Sequence, residues 1–206
     1  MEHQTTTKTR AAPGRPRLFK EEQALGAIMQ LFWEHGYEGT GLSDIIRATG
    51  LGKASLYATF GNKHSMYMRA LAAFEANMVD AGAEMLRNDE APALERVAAF
   101  LDAPIAAVRD HGDAKGCFLC NASADRAALD SETAAIVQRC YSKLAAALQR
   151  TLSEIVGDDA APDRAQMLLA VYAGLRVMSR SGVPISALEA ARDDALSGLP
   201  GGNARR

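Results

Sequence analysis

The sequence predicts an all-α protein of about nine helices, and three observations predict it. Apolar residues recur at spacings of three and four along most of the chain, the period of a helix with one buried face. No run alternates apolar and polar residues over strand length, so no sheet is expected. Of the 206 residues, 48% are hydrophobic but only 6% aromatic, and Ala, Leu, Glu and Arg recur throughout, which is the usage of a helical chain able to bury a substantial core.

Residues 1–17 read as a flexible basic arm, polar, broken by Pro and Gly, and without apolar periodicity. The helical pattern starts near Lys20. Ala24, Ile28, Leu31 and Phe32 then share one face, and the pattern stops at His35-Gly36, because Gly accepts the left-handed conformation of a helix end. A short second helix has Thr40 or Ser43 as candidate caps, Leu42, Ile45 and Ile46 facing inward, and Thr49-Gly50 as its end. A third covers about Gly52 to Thr59, anchored by Leu51, Leu56 and Phe60. Asn62 caps a long helix from Lys63 towards Arg87, with Met66, Ala70, Phe74 and Met78 spaced by four along one face. Five further helices fall at about 91–109, 116–128, 131–156, 162–181 and 185–197. Pro92 and Pro162 suit first helical turns, and Ser131 and Ser186 suit N-caps. Pro104 is expected to kink or end its helix.

Two short helices joined by a tight Gly-containing turn, inside a three-helix pack, make a helix-turn-helix. Gly50 and Gly52 keep that turn small. Lys53, Ser55, Tyr57 and Thr59 give the second short helix a polar face, while Leu56 and Phe60 hold its other side. Lys63, at the start of the next helix, is placed to meet a phosphate beside backbone N–H groups. Charge agrees weakly: residues 1–70 carry nine Lys and Arg against six Asp and Glu, and residues 71–206 carry fourteen against nineteen.

The run Leu31-Phe32-Trp33-Glu34-His35-Gly36-Tyr37-Glu38-Gly39-Thr40, with Asp44-Ile45, Thr49 through Phe60 and Lys63 in order behind it, resembles the N-terminal signature of TetR-type regulators. The resemblance covers about residues 18–74; residues 75–206 match only in length and helical character. It implies a homodimeric repressor, which a small molecule bound in the helical back half releases from a palindromic double-stranded DNA operator. It divides the chain into the arm (1–17), a helix-turn-helix domain (18–65) and a ligand-binding and dimerisation domain (66–206). It makes Gly52–Thr59 the recognition helix, with Tyr57 and Lys63 at phosphate-contacting positions, Lys53, Ser55 and Thr59 towards the major groove, and Thr40 setting the second helix near the backbone. Gly52 and Ala54 depart from the family pattern: the first offers no hydroxyl, and the second adds a methyl able to touch a thymine methyl or to pack. Arg15 and Arg17, in Gly14-Arg15-Pro16-Arg17, resemble a minor-groove hook; an ordinary tail is the alternative.

In the back half, Met78, Phe100, Phe118, Tyr141, Met167 and Tyr172 are candidate walls of a pocket for a small apolar or aromatic ligand, or plain core. Trp33 and Tyr37 read as core or domain-interface residues rather than ligand contacts. Cys117 and Cys120, with Lys115 before them, open a helix. That position lowers a thiol pKa and permits a redox or electrophile sensor, although buried packing is the commoner role of Cys. One Cys-x-x-Cys, even with His111 and Cys140, falls short of the paired pattern of zinc sites, so neither metal nor cofactor is expected. Leu168, Leu169, Val171, Leu175 and Val177, then Ile185, Leu188, Ala191 and Leu196, suit a four-helix dimer interface.

No phosphate loop, dinucleotide fingerprint or catalytic serine motif is visible, and the four histidines are scattered, so no enzyme is expected. Without an 18-residue apolar run or a secretory h-region, and with three cysteines, the chain reads as cytoplasmic, with no membrane span.

Overall fold

The computed structural model describes residues 15–113 and 115–202, with side chains from Lys20 onward. Among these residues there are nine helices and no strand. They are α1 (Arg15–Gly39), α2 (Leu42–Thr49), α3 (Lys53–Phe60), α4 (Lys63–Phe74, continuing through a π-helical turn Glu75–Val79 into Asp80–Arg87), α5 (Ala93–His111), α6 (Phe118–Asp125), α7 (Ser131–Val156), α8 (Ala161–Arg180) and α9 (Ile185–Ser197). The fold class is the one the apolar period predicts.

Helix α1 starts at Arg15, earlier than the periodicity indicates. Pro16 falls in its first turn, where the missing N–H costs nothing. Arg15 and Arg17 are thus on a helix rather than in an extended arm; their side chains, and residues 1–14, lie outside the described part. Gly36 (φ 71°, ψ −179°) interrupts α1 at the predicted place. The break turns the Tyr37 N–H towards Asp125 Oδ2 at 2.9 Å.

The caps are partly as predicted. Asn62 Oδ1 accepts from the Ser65 N–H at 2.8 Å, and Pro92 and Pro162 stand at the starts of α5 and α8. Helix α2 instead starts from Gly41, whose N–H donates to Asp44 Oδ2 at 3.1 Å. Asp130 caps α7 in place of Ser131, and α9 follows Pro184 rather than a Ser186 cap. An ionised carboxylate accepts more strongly than a hydroxyl, which favours Asp130. Helix α5 runs through Pro104 without ending, because Phe100, Leu101 and Ile105 bury it on both sides.

One contiguous apolar core runs from α1 to α8, and a smaller cluster of Ile105, Leu175 and Leu188 ties α5, α8 and α9. Leu168, Leu169, Leu175 and Leu188 are therefore buried within the chain. They are spent on α5 and α7 rather than on a face open to a second copy. Val177 (53% exposed) and Met178 remain at the surface of α8.

The π turn rewrites the face predicted for α4. Met66, Ala70 and Phe74 are buried in sequence, but one extra residue in the turn rotates the helix beyond it. Val79 then takes the core position and Met78 is exposed. Glu75, at the start of the turn, is only 7% exposed. Its carboxylate accepts two bonds from Arg139, at 2.9 and 2.6 Å, and lies 2.7 Å from Lys143 Nζ. The hydrogen bonds from Arg139 chiefly, then Lys143, hold its pKa at about 2 against an ordinary 4.5. A carboxylate whose folded pKa is depressed stabilises the fold above its unfolded pKa and loses that contribution as pH falls through the folded one. Glu75→Gln is expected to lower Tm at pH 7, with the gap from wild type closing between about pH 4.5 and pH 2; thermal melts across that range check this.

Candidate functional site

Helix α3 presents its outer face from the first turn. Gly52, in extended backbone before it, is followed by exposed Lys53, Ala54 and Ser55, while Leu56 and Phe60 are buried beneath. Tyr57 is 40% exposed, a large aromatic kept at the surface beside a lysine. Thr59 is half-buried, and its carbonyl accepts from Arg69 Nη1 at 2.8 Å. Lys63 starts α4 with its ammonium 4.6 Å from the Tyr37 ring centroid. Thr40 is fully buried, its hydroxyl donating to the carbonyls of Gly36 (2.7 Å) and Leu31 (3.2 Å). It fixes the α1–α2 corner from inside.

The segment Lys115–Asp130 joins this reader to the rest. Asn121 Nδ2 donates to the Trp33 carbonyl at 3.1 Å, and Arg126 stacks over the Tyr37 ring at 4.2 Å. Asp130 Oδ2 meets His64 Nε2 at 2.9 Å. Gly116 adopts φ 74° against α8, where a Cβ would come 3.1 Å from the Arg176 carbonyl, so a side chain is excluded there twice over. Phe118 then enters the core between Trp33, Tyr67 and Phe74, with ring centroids at 6.4, 5.9 and 5.7 Å.

Behind Phe118 lies a cavity of about 40 Å³, room for a few waters at most. Trp33 of α1, Met78 and Gly82 of α4, Phe100 of α5, Tyr141 of α7, and Tyr172 and Arg176 of α8 meet around it, with Cys117 and Cys120 at the start of α6. Phe100 and Tyr172 stack at 4.2 Å. Arg176 donates from Nε and Nη2 to the Tyr172 hydroxyl at 3.0 and 2.9 Å. Tyr141 Oη approaches Cys120 Sγ at 3.5 Å. The Cys120 thiol, hydrogen-bonding to Cys117, does most to bring the Cys117 pKa down to about 7. Burial opposes this, while the positive charge of Arg176 and the N–H groups of Cys120 and Leu119 assist. The same pairing and burial push Cys120 up.

The family model for bacterial regulatory proteins of the tetR family matches residues 24–70. Residues 24–70 thus carry the N-terminal domain of the tetR family. Relatives in sequence include the HTH-type transcriptional repressor ComR of Escherichia coli K12, 42% identical over 67 residues, 32% of either chain. The chain thus spans about a third of that relative's length. The repressor BdcR of the same strain is 31% identical over 55% of this chain and 57% of its own. In fold, the chain is similar to reduced E. coli NemR (TM-score 0.78, 21% identity, 88% of this chain and 97% of that one). It is also similar to a cysteine variant of the TetR-family regulator CifR in complex with 26-base-pair operator DNA (0.74, 24%, 93% and 100%).

Within this fold, the candidate site residues separate. Lys53, Ala54, Ser55 and Tyr57 share the open face of α3; Thr59 sits at its edge and Thr40 inside. Gly52 has open space where a Cβ would go, so the turn needs no glycine there, unlike Gly50, which closes α2 at φ 66°. Met78, Phe100, Tyr141 and Tyr172 line the cavity, whereas Phe118 is core and Met167 packs at the periphery. Trp33, expected only as core or interface, is a cavity wall as well. Lys115 bonds Gln30 Oε1 at 2.8 Å, so Arg176 supplies the charge beside Cys117. Arg176 went unselected, yet its signal stood in the sequence: one arginine inside the apolar run Ala170–Met178.

Gly82 faces Leu144 Cδ2 at 3.7 Å and Phe100 Cε2 at 3.8 Å from a built Cβ, ordinary contact distances. Gly82→Ala is expected to stabilise the helix by about 0.5–1 kcal/mol, raising Tm by about 1–4 °C, while narrowing the cavity. A differential scanning measurement showing a lower Tm would contradict that packing.

Proposed function

We propose that the chain is a dimeric, cytoplasmic DNA-binding repressor, released from a palindromic double-stranded operator by a small molecule that occupies the cavity. The single observation that carries this is the position of Trp33, which belongs to the reader and also walls the cavity. In this reading residues 18–65 read DNA, residues 66–206 sense ligand and dimerise, and the basic N-terminal segment (1–17), whose Arg15 and Arg17 stand on the first turn of α1, reaches the minor groove.

Lys53, Ala54 and Ser55 face base edges. Thr59 lies at the edge of the same major-groove face, and Tyr57 and Lys63 meet phosphates, with Gly52 and the Thr40 corner close to the backbone. Eight residues of α3 span only about 12 Å, enough for one half-site. Two copies must therefore set their α3 helices about 34–36 Å apart or a multiple of that. The exposed Val177 and Met178 of α8 support a second copy seated there. A ligand larger than the cavity must push its walls outward, and two of those walls, Trp33 and the Phe74–Val79 stretch of α4, continue into the reader. Occupancy and operator-competent spacing then oppose each other, the differential affinity that induction requires. CifR bound to operator DNA supports the DNA half of the proposal.

In a salt-titrated binding assay on selected operators, Lys53→Ala and Lys63→Ala are each expected to weaken binding across sequences and to reduce the slope of log K against log salt by about 1. Equal affinity of the full-length protein for operator and scrambled DNA would overturn the reading.

A thiol-sensing alternative is favoured by one observation, the lowered pKa of Cys117 beside Arg176 inside the cavity. The Cys117 sulfur would bond the β-carbon of an α,β-unsaturated carbonyl. The alkene pair shifts to the α-carbon, which takes up a proton, so the thiol adds across the double bond without redox change. Operator release by an enal that persists in Cys117→Ser removes this reading.

A further inference from the structure

Among the described residues Arg176 is the one charged side chain in the cavity wall, and the protein gives it little to hold. It is partly buried on α8, and no carboxylate lies within 4 Å of it among the described residues. Two of its N–H groups converge on one phenol oxygen, that of Tyr172; the other donors of the guanidinium have no hydrogen-bond partner there. The group cannot shed its charge at any working pH. The Cys117 thiolate is an anion that the fold can supply near it, and forming it costs a proton from a buried thiol. A second donor stands across the same cavity. The Trp33 indole N–H is buried without any hydrogen-bond acceptor, and Trp33 itself is only 6% exposed. An unpaired buried donor such as this indole N–H is costly, and it belongs to the same wall set as Arg176. Between them the lining is apolar and aromatic: Phe74, Phe100 and Leu144.

Resting on the reading of this cavity as the effector site, the geometry points to an organic anion as its occupant: a small planar or aromatic body carrying a carboxylate or an equally acidic oxygen. The acid group takes the free fork of Arg176 in paired N–H···O bonds, with the Tyr172 hydroxyl as a neighbouring donor. The body slides between Phe100 and Phe74, and an acceptor on it can take the Trp33 N–H. A positive guanidinium with no carboxylate beside it among the described residues discriminates against neutral analogues of the same shape, because they leave it without an ion pair.

The test uses the only tryptophan of the chain as reporter. The full-length protein is titrated with benzoate and 2-naphthoate, and in parallel with benzamide and 2-naphthamide, at constant ionic strength, following Trp33 fluorescence. Each carboxylate is expected to bind roughly ten- to hundredfold tighter than its amide. Arg176→Gln is expected to erase that preference, and Arg176→Lys, which keeps the charge but not the fork, to retain part of it; thermal melts verify that both variants fold. Amides binding as tightly as carboxylates, or a preference unchanged in Arg176→Gln, overturns the anion assignment while leaving the cavity as an effector site. Absence of binding by either class overturns both. Carboxylates that bind with the expected preference but leave operator affinity unchanged support the anion site and overturn induction through it.

Discussion

The edge-to-face packing of Phe118 against Tyr67 and Phe74, with the Trp33 ring stacked beside it, is the contact on which the rest of the structure depends. Aromatic pairs at these separations contribute beyond their buried area, but their larger consequence is topological. Trp33 comes from α1, Tyr67 and Phe74 from α4, and Phe118 from the first turn of α6. The buried residues of the reader, Ile28, Phe32, Ile45, Leu56 and Phe60 among them, belong to the same contiguous core as Phe118. A shift of Phe118 is therefore felt at once by the two helices that carry α2 and α3. Close-packed interiors transmit displacement rather than absorb it.

Polar contacts reinforce the same junction at its rim. The Tyr37 N–H on Asp125, His64 on Asp130, Asn121 on the Trp33 carbonyl and Arg180 on the Glu34 carbonyl at 3.2 Å all link the reader to α6, its flanks or α8. These bonds fix register where the aromatic rings alone would allow sliding. Farther along α4, the π turn places Glu75 into its Arg139 and Lys143 clamp and Met78 at the rim of the cavity. A helix locally widened by one residue beside a cavity can change its winding at small cost, and α4 is the one helix that runs from the reader past the cavity to its far wall.

Much of this was legible in the sequence. Helix number and order came from the 3.6-residue period. The corner from Leu42 to Phe60 came from Gly50 and from Leu56 and Phe60 on one side of a short helix. The losses have physical causes. A period assumes uniform winding, so it carried the α4 face through to Met78 and missed the switch to Val79 that the π turn imposes. Cap prediction from residue type favours Ser131 over Asp130 and Thr40 or Ser43 over the Gly41–Asp44 pair, because which residue stands at the junction depends on where the chain enters. Leu168, Leu175 and Leu188 looked like a face for a partner because apolarity does not say which neighbour buries it. Trp33 and Arg176 became cavity residues only when helices far apart in sequence converged; a buried arginine without a carboxylate is invisible until its surroundings are known.

The helix-turn-helix and the helices behind it, on this view, share one cooperative core through Phe118. Native-state hydrogen exchange on wild type and Phe118→Ala measures that sharing most directly, since exchange resolves which segments open together. A shared core predicts that the substitution lowers protection of α1 and the Lys63–Phe74 stretch of α4 by the same factor as that of α6. Loss of protection confined to α6, with α1 and α4 unchanged, would contradict it.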